Sequence, residues 1–180
     1  MSKVTVKGFF IRETIKYVKK RKGPEGVKQL EKKFGKSLKF FPFRDYPFED
    51  DVKLQKAAVE VLNDMNTSAE SFEIGKFTFS IYISTSIGKT MFKLMGDDPK
   101  KVAFNLVKVI DTVTKGLRAE VEGLGQDQVK IKMFDSPYNI RHYEGVFAAA
   151  LEYLNYKPIT KSKVLEDGTH EYIVGWGEKK

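Results

Sequence analysis

The chain has 180 residues and a formal net charge of +8, with two histidines and no cysteine, so disulfides and thiolate metal centres are excluded. That length suits a single domain over residues 1–180 with one sizeable core. No apolar run approaches the roughly 18 residues of a membrane span, and Lys3 and Lys7 interrupt the first apolar stretch, so a soluble, cytoplasmic protein is expected.

Basicity is concentrated at the start: residues 1–40 hold thirteen Lys or Arg against three Glu, leaving the rest slightly acidic. Val6, Phe9, Phe10, Thr14, Tyr17 and Val18 recur at helical spacing and predict a helix over about 7–22. Gly23-Pro24 ends it, and Val27, Leu30 and Phe34 define a second helix stopped by Gly35, the pair reading as a helical hairpin. Lys16, Lys19, Lys20, Arg21 and Lys22 fit the solvated face and last turn of the first helix, where the macrodipole favours cations. The alternative is an anionic partner, nucleic acid or membrane, held by summed charge.

Residues 38–48 carry five aromatic rings and two prolines, which forbids a regular helix and predicts an extended segment laid over a core or a ligand. Within it Arg44 and Tyr46 pair a cation with a phenol that could meet a polar head group. Glu49-Asp50-Asp51 opens a third helix, with Val52, Leu54, Ala58, Val59, Val61 and Leu62 as its apolar side. The three acids read as dipole partners, not metal ligands, because no further carboxylate or histidine cluster stands at comparable spacing. Asn63 to Ser68 reads as a polar break.

Residues 71–95 predict one long buried helix, with Ser80, Ser84, Ser86 and Gly88 permitting close approach. Gly88-Lys89-Thr90 is not a phosphate loop, since Ile83 stands where that motif needs glycine. Asp97-Asp98-Pro99 starts another helix, in which Val102, Leu106, Val109, Ile110 and Val113 face inward. Residues 117–176 then read as a ββαββ unit. Alternating strands flank a turn at 125–128, Asp167-Gly168 marks a second hairpin, and the helix over 137–155 has Ser136 as N-cap and Pro137 at its first position. An α+β fold follows, helical over 1–116 and an antiparallel sheet unit over 117–180. His142 falls off the helix's apolar stripe and reads as a partly exposed surface residue; His170 lies in the last hairpin. No nucleophile–base pair or nucleophile elbow is visible, so no enzymatic activity is expected. Outward strand positions Arg118, Glu120, Glu122, Lys130 and Lys132 mix charges and lack paired aromatics, which argues against an RNA-reading sheet.

Lys7-Gly-Phe-Phe10, Arg44-Asp-Tyr-Pro47, Leu54 with Ala57-Ala58, Phe72-Glu-Ile-Gly-Lys76 and Tyr143-Glu-Gly-Val-Phe-Ala-Ala-Ala-Leu-Glu152 together resemble a family of unknown function expanded in myxobacteria. The order of elements also resembles the wider group of haem nitric-oxide/oxygen-binding, 4-vinyl-reductase-type and TRAPP vesicle-tethering domains. That resemblance implies a haem, a small hydrophobic molecule or an acyl chain held between helices and sheet. The haem branch's proximal histidine is missing from the helix before the sheet. Its Tyr-x-Ser-x-Arg motif is absent too, since Tyr82-Ile-Ser84 is followed by Ser86 at the arginine position. No cofactor is therefore expected. The leading expectation is a non-enzymatic binding or sensory domain for an apolar or amphipathic small molecule. Phe79, Ile83, Ile87, Met91, Phe104 and Phe147 would wall its pocket, with Arg44 or Tyr46 at the head group. The second expectation is a protein–protein adaptor, a homodimer using an apolar helix face as TRAPP-like members do.

Overall fold

A computed structural model describes residues 4–64 and 70–179, apart from the side chains of residues 87 and 111–113. Strand β1 (Thr5–Lys7) runs directly into helix α1 (Gly8–Phe34), which buries Ile11, Thr14 and Val18 and, further on, Leu30 and Phe34. Gly23 is non-helical (φ 65°, ψ −164°), a conformation open to glycine, so the two helices expected here form one element kinked at Gly23-Pro24. Gly35 closes it in the left-handed region, its N–H donating to the Glu31 carbonyl at 2.9 Å.

The following segment is free of helix as expected but not extended throughout: a turn at 42–44, in which the Arg44 N–H donates to the Phe41 carbonyl at 3.2 Å, precedes β2 (Asp45–Pro47), which pairs antiparallel with β1. Its rings are not all dry, however. Phe40 and Tyr46 pack on the core, whereas Phe41 and Phe43 are 67% and 91% exposed. The backbone explains this: the Pro42 and Arg44 carbonyls accept from the N–H groups of Phe9 and Gly8, so the segment caps the start of α1 and leaves those two rings outside. Helix α2 (Phe48–Leu62) has Glu49, Asp50 and Asp51 in its first turn and sets Leu54, Ala58 and Val61 against α1. The expected polar break that follows falls largely on residues 65–69, outside the described residues.

The single long helix expected over 71–95 is two, α3 (Ser71–Ser84) and α4 (Ser86–Met95), divided at Thr85. Thr85 takes an extended conformation. Its hydroxyl donates to the Tyr82 carbonyl at 2.8 Å and accepts from the Gly88 N–H at 2.9 Å, ending one helix and capping the next. Asp98 caps α5 (Pro99–Val113) through Lys100 and Lys101 N–H, as the Asp-Pro pair predicts. Val102, Leu106 and Ile110 are buried and Val109 partly so, while the Val113 side chain lies outside the described residues. β3 (Thr114–Lys115) then joins β1, giving a small sheet in the order β2-β1-β3. Strands of two or three residues carry too little alternation to be read from sequence.

β4 (Arg118–Gly123), β5 (Gln128–Phe134), α6 (Ile140–Tyr153), β6 (Tyr156–Val164) and β7 (His170–Lys179) form the ββαββ unit, with its four strands antiparallel in the order β4-β5-β7-β6. The fold is α+β as expected. Val129, Ile131 and Met133 are wholly buried on the inner face beside Tyr172 and Val174, each such side chain contributing roughly 1.5–3 kcal/mol of burial. Edge strand β6 carries Lys157, Lys161 and Lys163 together with Pro158, which discourages further strand pairing. The cap of α6 is Asn139, not Ser136: its side chain accepts from Arg141 N–H at 2.9 Å, and the helix begins three residues later than expected. α6 lies between α3 and the sheet, so every residue from His142 to Leu151 is buried. The close crossing with α3 is set by two glycines, since a Cβ on Gly75 would stand 1.8 Å from the His142 carbonyl oxygen and one on Gly145 2.1 Å from that of Phe72.

Candidate functional site

α2, α3, α5 and α6 enclose a cavity of about 70 Å³ beside β1 and β3. Its wall is mostly apolar, with Phe10 from α1, Phe79 from α3, and Leu106 and Ile110 from α5. Into it project polar groups from three separate stretches: Asp51 and Gln55 one turn apart on α2, Thr78 and Tyr82 one turn apart on α3, and Tyr138 with His142 at the start of α6.

Asp51 is 3% exposed. Its Oδ2 accepts from Gln55 Nε2 at 2.7 Å and from the Tyr138 hydroxyl at 3.3 Å, and the Thr78 hydroxyl donates to Gln55 Oε1. Burial pushes the Asp51 carboxyl up from an ordinary 3.8 to about 7, and the two hydrogen bonds only partly oppose it. Tyr138 is held well above the usual phenol range by burial and by the neighbouring Asp51 charge. Its ring stacks on His142 at 3.7 Å between centroids with the planes 4° apart. His142, 2% exposed, is pushed down by burial to about 3 and is therefore neutral at ordinary pH.

Three polar atoms on this wall have no hydrogen-bond partner: Asp51 Oδ1, Tyr82 Oη and His142 Nε2. Buried polar atoms are normally paired, because leaving one bare costs about 1–3 kcal/mol. The contrast with Glu144 is direct. That carboxylate is also buried, yet it pairs with Arg141 and accepts from Ser162. Asp51 has no such cation, since no lysine or arginine lines the cavity.

Of the residues expected to form a pocket, Phe79 alone stands on this wall. Ile83, Met91 and Phe104 are half-buried against the main core, and Phe147 lies within it, packed on Tyr143 and Tyr172. The Ile87 side chain is outside the described residues. Arg44 is exposed with its guanidinium 5.7 Å from the Tyr46 ring, while the Tyr46 hydroxyl accepts from Phe41 N–H at 2.8 Å. Neither reaches the cavity. The expectation that His142 is a partly exposed surface residue is corrected, because α6 is covered on both sides and Tyr138 closes over the ring. Asp51 and Tyr138 were missed as site residues. One available signal was Gln55, a polar residue directly beside Leu54 on the helix and one turn after the acid. In the basic run, Lys16 pairs with Glu13 and Lys22 with Asp64, so part of that charge is neutralised within the chain. Among the described residues no three His, Asp or Glu converge as a metal site, and no helix is long and apolar enough to cross a membrane.

The fold that holds this cavity is that of H-NOX (haem nitric-oxide/oxygen-binding) domains. An H-NOX protein from S. oneidensis in the Fe(II)NO ligation state matches with a TM-score of 0.67 at 14% identity, over 96% of this chain and 99% of that one. An Fe(II) unliganded H-NOX protein from K. algicida matches with 0.62 at 15% identity, over 96% and 97%. An oxygen-binding H-NOX domain related to soluble guanylate cyclases, in its oxygen complex, matches with 0.59 at 15% identity, over 96% of both. The chain itself belongs to the family described as "Protein of unknown function (DUF2378)", which matches residues 1–177. No curated protein matches it.

Proposed function

We propose that this chain is a non-catalytic binding or sensory domain that uses an H-NOX-like fold to hold a small molecule in the Asp51 cavity, without haem. The observation that carries this reading is the set of three unpaired, buried polar atoms brought to one cavity wall among apolar and uncharged polar side chains. Such a wall, with few polar groups converging from several elements, has the make-up of a ligand site.

The residues present do not fit a haem. A cavity of about 70 Å³ is far below the ~300 Å³ at which pockets for drug-sized molecules begin. The one charged side chain on the wall, Asp51, would repel propionates, and no arginine or lysine is there to receive them. α5 carries no histidine, and the His142 ring is already stacked on Tyr138. Phe92, Tyr143 and Phe147 fill the space between helices and sheet with ring-to-ring contacts.

Native mass spectrometry of gently purified protein tests the proposal. An excess mass that is released on unfolding, and is lost when Leu106→Phe narrows the cavity, is the expected result. A native protein that flies at the mass of the chain alone contradicts it.

A further inference from the structure

Asp51 meets the cavity with one oxygen satisfied and the other bare. Gln55 and Tyr138 both donate to Oδ2, leaving Oδ1 on the wall. The other bare atoms, Tyr82 Oη and His142 Nε2, can accept as well, the imidazole doing so when its proton sits on Nδ1. Every element around the cavity supplies an uncharged neighbour. Gln55 and Thr78 are amide and hydroxyl, Tyr138 and Tyr143 are protonated phenols, α5 offers Leu106, Val109 and Ile110, and Thr114 donates to the Ile110 carbonyl. An anionic acceptor set with no cation of its own, among the rings of Phe10, Phe79 and Tyr138, has the chemistry that receives a small cation.

We infer that the cavity takes a small primary ammonium, whose three N–H groups donate to Asp51 Oδ1, Tyr82 Oη and His142 Nε2. This rests on the reading of the cavity as a ligand site and adds the class of ligand. Volume limits the occupant to a few non-hydrogen atoms, so the ligand is ammonium itself or a short alkylammonium. A quaternary ammonium has no N–H to give, and an anion would face Asp51. Burial keeps His142 neutral and its lone pair free. Because Asp51 gains its proton near pH 7, binding strengthens as pH rises through that value.

The test is a titration of the full chain with methylammonium chloride, matched against sodium chloride at the same ionic strength, with methanol as the neutral two-atom analogue. The readout is the ring resonances of His142. A saturable shift with methylammonium at pH 8, about tenfold weaker per pH unit below 7 and lost in Asp51→Asn, is the expected result. Should Asp51→Asn fail to fold, Tyr82→Phe removes one acceptor and leaves the carboxylate, and is expected to weaken binding about tenfold. If methanol saturates the same resonances equally and without pH dependence, the ligand is neutral. The ammonium inference then falls and the binding function stands. If neither compound shifts them, the inference falls; if native mass spectrometry also shows no bound mass, the function falls with it.

Discussion

The Tyr138 hydroxyl donates to Asp51 Oδ2 at 3.3 Å, joining residues 87 positions apart in the chain. This bond ties the first turn of α2 to the segment that enters α6, and so links the helical half to the sheet unit across the cavity. Tyr138 also packs edge-on against Phe48 at 4.1 Å and face-on against His142, which fixes its ring from both sides. The carboxylate is thereby oriented but not neutralised.

Asp51 and His142 impose opposite pH dependences on stability. The folded Asp51 binds its proton more tightly than the unfolded chain does, so stability falls as pH rises from about 4 to about 7. The folded His142 binds its proton more weakly, so stability rises with pH from about 3 to 6.5. The windows overlap and the two slopes, each up to ~1.4 kcal/mol per pH unit, largely cancel in the wild type. Urea denaturation between pH 4 and 6.5 is expected to show stability rising with pH in Asp51→Asn and falling with pH in His142→Gln. Flat profiles in both variants would mean that neither group is held as described.

Gly75 and Gly145 carry the crossing of α3 with α6. Gly75→Ala or Gly145→Ala drives a methyl into a backbone carbonyl and is expected to cost about 3 kcal/mol or to prevent folding. Gly177→Ala meets nothing closer than 3.9 Å and is the control, expected to change stability by less than ~0.5 kcal/mol in the same urea titration.

Thr85→Ala removes both the stop of α3 and the cap of α4. A loss of about 1 kcal/mol is expected by chemical denaturation. An unchanged midpoint would show that the break at 85 is maintained by packing alone.

Arg44 and Phe79 stood together as expected pocket residues, and the structure separates them. Arg44→Ala is expected to leave stability within ~0.5 kcal/mol and to leave any bound mass unchanged, because the side chain is exposed and does not line the cavity. Phe79→Ala opens the wall and removes ring contacts with Phe92 and Tyr153, with an expected cost of about 3–5 kcal/mol. A loss of bound mass in Arg44→Ala would restore its head-group role.

The sheet unit was legible because its signals are local. Alternation in 128–134 and the Asp167-Gly168 turn, with Gly168 at φ 83° and Asp167 accepting from Thr169 N–H, need no tertiary information. The break at Thr85 was not legible, since it is made by one hydroxyl inside an apolar run and not by proline or glycine. The site was hidden for a different reason. Each member has an ordinary local reading: Asp51 as a dipole partner, Tyr82 as core, Tyr138 as a residue in the first turn of the helix expected over 137–155. Only the meeting of α2, α3 and α6 brings these groups together and leaves Asp51 Oδ1, Tyr82 Oη and His142 Nε2 bare. His142 misled because an apolar stripe presumes one buried face, and α6 has none exposed along most of its length.

In the proposed function an H-NOX-like fold holds a small polar-headed ligand in place of haem. An absorbance scan of protein produced with excess haem precursor and purified without denaturant separates that reading from haem binding. The expected result is a spectrum with no Soret band and an unaltered fold. A stoichiometric Soret band that disappears in His142→Gln would contradict the account and make His142 a haem ligand.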